Sequence, residues 1–107
     1  MEIRNYSDAS GKVPFRDWLH ALQDKIGQKL IMARLARVAA GNLGDCRQLR
    51  EGVMELKVDF GPGYRVYLSR QGAVLVLLLC AGDKSSQSRD IEQAIDYLND
   101  WKQRGKP

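Results

Sequence analysis

Glu55, Lys57, Asp59, Arg65 and Tyr67 fall at alternate positions of two adjoining segments, and together they carry most of the acid, base and cation chemistry a small protein can offer. The first segment alternates Met54, Leu56, Val58 and Phe60 with Val53, Glu55, Lys57 and Asp59, the period-2 pattern of a half-buried strand. In the second, Tyr64, Val66 and Leu68 point one way and Arg65, Tyr67 and Ser69 the other. Gly61-Pro62-Gly63 between them is a strong turn signal. An antiparallel hairpin of these segments brings the polar residues close together across strands, on the face opposite Met54, Leu56, Val58 and Tyr64. Such a set suits a phosphodiester: cations stabilise the charge that builds at phosphorus, while a carboxylate, lysine or tyrosine moves a proton. Lys84 adds a cation just beyond the next apolar segment. The competing reading is a set of cross-strand ion pairs on a solvated sheet face.

Other chemistries lack their residues. His20 is the only histidine, and Cys46 and Cys80 are the only cysteines, so neither a zinc site nor a histidine-based catalytic pair is expected, and no cofactor is called for. The cysteines read as small buried or half-buried thiols of a reducing cytoplasm. The opening Met1-Glu2-Ile3-Arg4-Asn5 has no basic-then-apolar signal segment. The longest apolar run, Ala73 to Ala81, is about half of what a bilayer span requires. A cytoplasmic protein without membrane contact is therefore expected. The 107 residues, 44% hydrophobic and 28% charged, fit one folded domain over residues 1–107. Lys plus Arg number 17 against 13 Asp plus Glu, a net charge of +4 that permits a polyanionic partner without requiring one.

Those side chains need a scaffold, and the hydrophobic pattern supplies one. Glu2 to Tyr6 reads as a short strand. Pro14 suits the first turn of a helix whose apolar stripe is Phe15, Trp18, Leu19 and Leu22, with His20 off the stripe and facing solvent. A second helix runs from about Ile26 to Ala40 after a break at Asp24 to Gly27, burying Ile31, Leu35 and Val38; Gly41-Asn42 ends it. Lys25, Lys29, Arg34 and Arg37 occupy its remaining circumference, a solvated face or a basic surface for a partner. The hairpin and the apolar strand Ala73 to Ala81 form a three-stranded antiparallel meander, and serines 85, 86 and 88 are placed to cap a last helix. That helix turns Ile91, Ala94, Ile95, Leu98 and Trp101 inward, and Asp90, Glu92, Asp96, Asp100 and Lys102 outward. The expected fold class is α+β, with helices on one face of the sheet. Arg47 and Arg50 border the meander, either as solvated charges or as a grip on a phosphate backbone.

The run from Gly52 to Tyr67, continued by Leu77-Leu78-Leu79-Cys80-Ala81-Gly82-Asp83-Lys84-Ser85-Ser86-Gln87 and by Asp90, Ile91 and Ala94, resembles the RelE/ParE superfamily of toxins in its addiction module killer protein, HigB-like, branch. Phe15, Trp18 and Leu19 resemble that branch's first helix. The resemblance implies a RelE-like fold: an N-terminal strand and two helices, then the meander and a C-terminal helix. It also implies the toxin of a type II toxin–antitoxin module. The cognate antitoxin would be a helix-turn-helix DNA-binding protein, through which alone the toxin would reach operator DNA.

RelE-like members cut mRNA on the ribosome without a metal, using the substrate's own 2′-OH. ParE-like members inhibit DNA gyrase instead. On this resemblance Arg65 matches the strand arginine that holds the scissile phosphate, Lys57 a strand lysine, and Lys84 a cation after the third strand. Glu55 stands where RelE has another lysine and becomes the candidate proton acceptor; Asp90 replaces a C-terminal tyrosine. The expected catalytic set is Lys57, Arg65, Lys84 and Glu55, with Arg47, Arg50 and Tyr67 on RNA. A gyrase inhibitor, or an inactive relative that only binds its antitoxin, is the alternative.

Overall fold

A computed structural model describes residues 1–107. In chain order its elements are β1 (Glu2–Asn5), α1 (Pro14–Ala21), α2 (Lys25–Ala39), β2 (Cys46–Gln48), β3 (Met54–Val58), β4 (Tyr64–Gln71), β5 (Leu75–Asp83), a 3₁₀ turn (Lys84–Ser86) and α3 (Gln87–Gln103). The strands form one five-stranded sheet in the order β1-β5-β4-β3-β2. The meander β3-β4-β5 is antiparallel, as its hairpin turns require, and β1 joins β5 in parallel. The class is α+β. No helix is long and apolar enough to cross a membrane.

The sheet is larger than the alternation indicates, and it is covered on both faces. Cys46–Gln48 forms a strand antiparallel to β3, so Arg47 lies within the sheet, opposite Glu55. A three-residue strand has no periodicity to read; it exists because β3 offers it a free edge. Helices α1 and α2 pack on one face, where Phe15, Leu19, Ile31 and Val38 meet Leu56, Val58, Tyr64, Val66 and Leu68. Helix α3 packs on the other, where Ala94, Ile95, Leu98 and Trp101 meet Val53, Tyr67, Leu77 and Leu79. The expectation of helices on one face is thus corrected. Five strands about 4.8 Å apart make a sheet roughly 19 Å wide, which seats two helices of about 10 Å and no third. The apolar stripe of α3 had only the other face to bury itself against. Covering on both sides also explains why Val76 to Leu79 are apolar without interruption.

Several details differ from the expected pattern. Phe60 and Asp59 lie beyond the end of β3 and are exposed, so neither belongs to a sheet face. Register shifts between Tyr67 and Leu68 on β4, where the partners step from Cys80 to Leu78. Leu79 and Cys80 consequently both join the α3 core, and Gly82 comes to lie opposite Arg65. Serine does not cap α3 through its side chain; the Asp83 carboxylate accepts from the Ser85 N–H at 2.8 Å and organises the 3₁₀ turn instead. Asp90 is not outward: the Ser86 hydroxyl donates to its carboxylate, which fills the space above Gly82, and burial raises its pKa.

On α2, Asp24 is the N-cap, accepting from the Gly27 N–H at 2.9 Å and from the Tyr64 hydroxyl at 2.6 Å. Gly27 is buried and no helix break: a Cβ there would lie 2.5 Å from the Tyr64 ring. Arg34 leaves the basic face of the helix, donating to the carbonyls of Lys57 at 2.7 Å and Leu43 at 3.2 Å. It therefore clamps the loop before β2 onto β3.

Candidate functional site

Two cross-strand rows on the α3 face build the site. One runs Arg47, Glu55, Tyr67, Cys80 over β2, β3, β4 and β5; the other runs Lys57, Arg65, Gly82, two residues nearer the β3–β4 turn. Where β2 ends and α3 has not yet begun to cover the sheet, the rows open into a hollow of about 240 Å³. It is lined by Asp45, Arg47, Glu55, Lys57 and Arg65, with no apolar side chain among them. Alternation along the strands is what aims Glu55, Lys57 and Arg65 into it.

Arg65 is the anchor. Only 6% exposed, it is held by an Nη1 hydrogen bond to the Gly63 carbonyl at 2.6 Å. Gly63 has φ of 81°, and a Cβ built there would come within 2.7 Å of that Nη1. The glycine of the turn is thus required by both its backbone and the guanidinium beside it. The Nε of Arg65 is buried without a partner. An unpaired buried donor of this kind costs about 1–3 kcal/mol. Lys57 lies directly across the strand pair from Arg65.

Glu55 is only 3% exposed and fully engaged. Arg47 Nε donates to its Oε1 at 3.1 Å, and Gln87 Nε2, from the first residue of α3, donates to its Oε2 at 2.7 Å. Each oxygen of the carboxylate thus already serves one donor and keeps one further lone pair. Asp45 is the other carboxylate of the hollow; it is exposed, and only its backbone carbonyl is bonded, to the Lys57 N–H and to Arg34.

The remaining expected residues divide. Arg47 lines the hollow with a side chain 68% exposed. Lys84 is exposed and flanks Gly63 outside the hollow, on the Arg65 side. Arg50 is not part of the site; it pairs with Glu92 on the surface of α3. Tyr67 cannot stack on RNA, because α3 buries it completely. Its hydroxyl has no hydrogen-bond partner, and burial, with the charges of Glu55 and Asp90, raises its pKa well above the ordinary tyrosine range. Asp45 and Gln87 escaped the sequence reading. Asp45 lies in a loop with no period, and Gln87 sits at a helix start that only the fold brings to Glu55.

No family model matches the sequence. An uncharacterized protein of Haemophilus influenzae strain Rd is 49% identical over 80 residues, covering 75% of this chain and 81% of that protein.

Proposed function

We propose, for a chain that belongs to one family with that Haemophilus influenzae protein, the role of toxin in a type II toxin–antitoxin module, acting as a ribosome-dependent mRNA endonuclease. The observation that carries it is the wholly polar hollow in which Arg65 lies across the strand pair from Lys57 and is joined by Arg47. Three cations around one small opening fit a single phosphodiester group better than an apolar ligand or a flat protein surface. The order strand, two helices, a short strand, antiparallel meander and helix supports this reading, although the short strand β2 is additional to the expected RelE-like order.

In the cleavage, Arg65 and Arg47 hold the nonbridging oxygens of the phosphate. The 2′-OH proton passes to the Asp45 carboxylate as O2′ bonds to phosphorus. The P–O5′ bond breaks, O5′ takes a proton from the Lys57 ammonium, and a 2′,3′-cyclic phosphate and a 5′-OH end remain. Lys84 meets the RNA backbone at the rim. Substrate and ribosome place this activity in the cytoplasm. The exposed Ile26 and Leu30 of α2, one turn apart and beside Lys25 and Lys29, offer an acidic amphipathic segment of the antitoxin a short apolar strip with a basic flank.

A second reading, a gyrase-inhibiting or antitoxin-binding protein without nuclease activity, is favoured by the engagement of Glu55, which removes one expected catalytic group. Mapping mRNA 5′ ends in a translating extract separates the two. New ends within codons are expected with the wild-type chain and none with Arg65→Ala. Intact mRNA together with inhibited gyrase supercoiling would overturn the endonuclease.

A further inference from the structure

We infer that Gln87 is a positioning residue of this site, acting through Glu55 to hold the Arg47 guanidinium over the hollow. The inference rests on the phosphate-binding reading above and adds to it a residue from α3, an element that otherwise contributes nothing to the hollow.

Arg47 is a long side chain on a three-residue edge strand, mostly exposed. Left alone it would sample many rotamers, and fixing one would cost up to about 2 kcal/mol when a ligand arrives. Glu55 takes that freedom away beforehand. It binds Arg47 through Nε, which leaves the two terminal nitrogens free to bond phosphate oxygens. An Arg whose Nε edge is occupied is a prepared fork.

The carboxylate needs holding in turn. Glu55 is buried beside the Tyr67 hydroxyl, which has no partner and would accept its company. A carboxylate turned toward Tyr67 would satisfy that hydroxyl and release Arg47. Gln87 opposes this turn: its Nε2 donates to Oε2 at 2.7 Å while Arg47 holds Oε1. The amide has only one workable orientation, since the reversed amide would set its oxygen against the carboxylate. Gln87 is also the first residue of α3, whose inner face is anchored by Ala94, Ile95, Leu98 and Trp101. Its backbone position is thereby fixed by the second core.

The test follows Arg47 itself. In wild-type protein its Nε–Hε NMR signal should stand apart, shifted by the charged acceptor and slow to exchange. In Gln87→Ala that signal is expected to move and broaden. Affinity for a short fluorescent single-stranded RNA, read by anisotropy, should fall about 2- to 12-fold, the equivalent of one hydrogen bond. Alanine is a good helix former, so the melting temperature should change little. Gln87→Glu keeps the size and sets two carboxylates face to face. It should lower affinity further at neutral pH and regain part of the loss on acidification, which a merely structural role would not do.

An unmoved Arg47 signal in both variants overturns the inference, whatever the RNA does. Unchanged affinity in Gln87→Ala, with binding weakened by Arg65→Ala, overturns it as well and leaves the phosphate site standing. If Arg65→Ala binds RNA like wild type, the phosphate-binding reading fails instead, and the Arg47 signal still decides whether Gln87 positions the guanidinium.

Discussion

Glu55 and Asp45 show how little a residue type says until its neighbours are known. Both are carboxylates of the same hollow, yet one is buried between two donors and the other is exposed. Proton transfer needs an oxygen with a lone pair aimed at the substrate hydroxyl, and the exposed Asp45 is freer to aim one than Glu55, which two donors hold in place. Asp45→Asn is therefore expected to slow single-turnover RNA cleavage by about 10²- to 10⁴-fold while leaving RNA affinity nearly intact. Glu55→Gln should do the reverse, weakening affinity more than it slows the bound complex. A large rate loss in Glu55→Gln at unchanged affinity, with Asp45→Asn cleaving at the wild-type rate, would show that Glu55 is the proton acceptor. Lys57 and Arg65 were legible as a cross-strand pair because a period of two is all that such a pair requires. The partners of Glu55 were not, since Arg47 and Gln87 come from elements on either side of it.

At the scale of elements, the seating of α2 on the sheet turns on one contact. Asp24 caps the helix and accepts from Tyr64, a core residue of β4, so one carboxylate joins helix start to sheet. The Tyr64 hydroxyl first, and the Gly27 N–H next, hold the Asp24 carboxyl below its usual range. A group whose folded pKa lies below its unfolded value of 3.8 stabilises the fold above that value, and its contribution disappears as pH falls through the folded pKa. Tyr64 is pushed up to about 12 by burial and by Asp24, so its share is complete below pH 10 and is lost as pH climbs through the raised value. Thermal melts of wild type and Asp24→Asn between pH 2 and 7 should differ most at neutrality and converge in acid. Parallel curves would show that the contact does not link α2 to the sheet. The sequence reading placed a break at Asp24 to Gly27, and its residue types do mark a helix start. It missed the role of Gly27, because the ring that forbids a side chain there lies far away in the chain.

For the whole molecule, the placement of charge matters more than the sum of +4. Arg34 is spent on backbone carbonyls, Arg50 on Glu92, and Arg104 on Asp100, so these three add little to any surface for a polyanion. The cations that line the hollow are Lys57, Arg65 and Arg47, the last held through Nε by Glu55 with its two terminal nitrogens left over. If they hold one phosphate between them, single-strand affinity should fall with salt at a log–log slope near −0.7, roughly 3-fold between 50 and 200 mM. Anisotropy titrations at several salt concentrations measure this. A slope two or three times steeper would move the binding to a wider face, with the exposed lysines of α2 as its first candidates.

What the sequence determined by itself was local. Periodicity located the helices and the meander to within a few residues, turn chemistry set the hairpin, and alternation put Lys57 and Arg65 on one face. These follow from backbone geometry, which each segment carries with it. The tertiary structure decided everything that depends on what lies opposite. It set α3 on the polar face because α1 and α2 filled the other, and so buried Tyr67. It made a strand of Cys46–Gln48 because β3 had an edge to share. It made Glu55 the link between Arg47 and Gln87, since a carboxylate in a closed space must take whatever donors the packing brings to it.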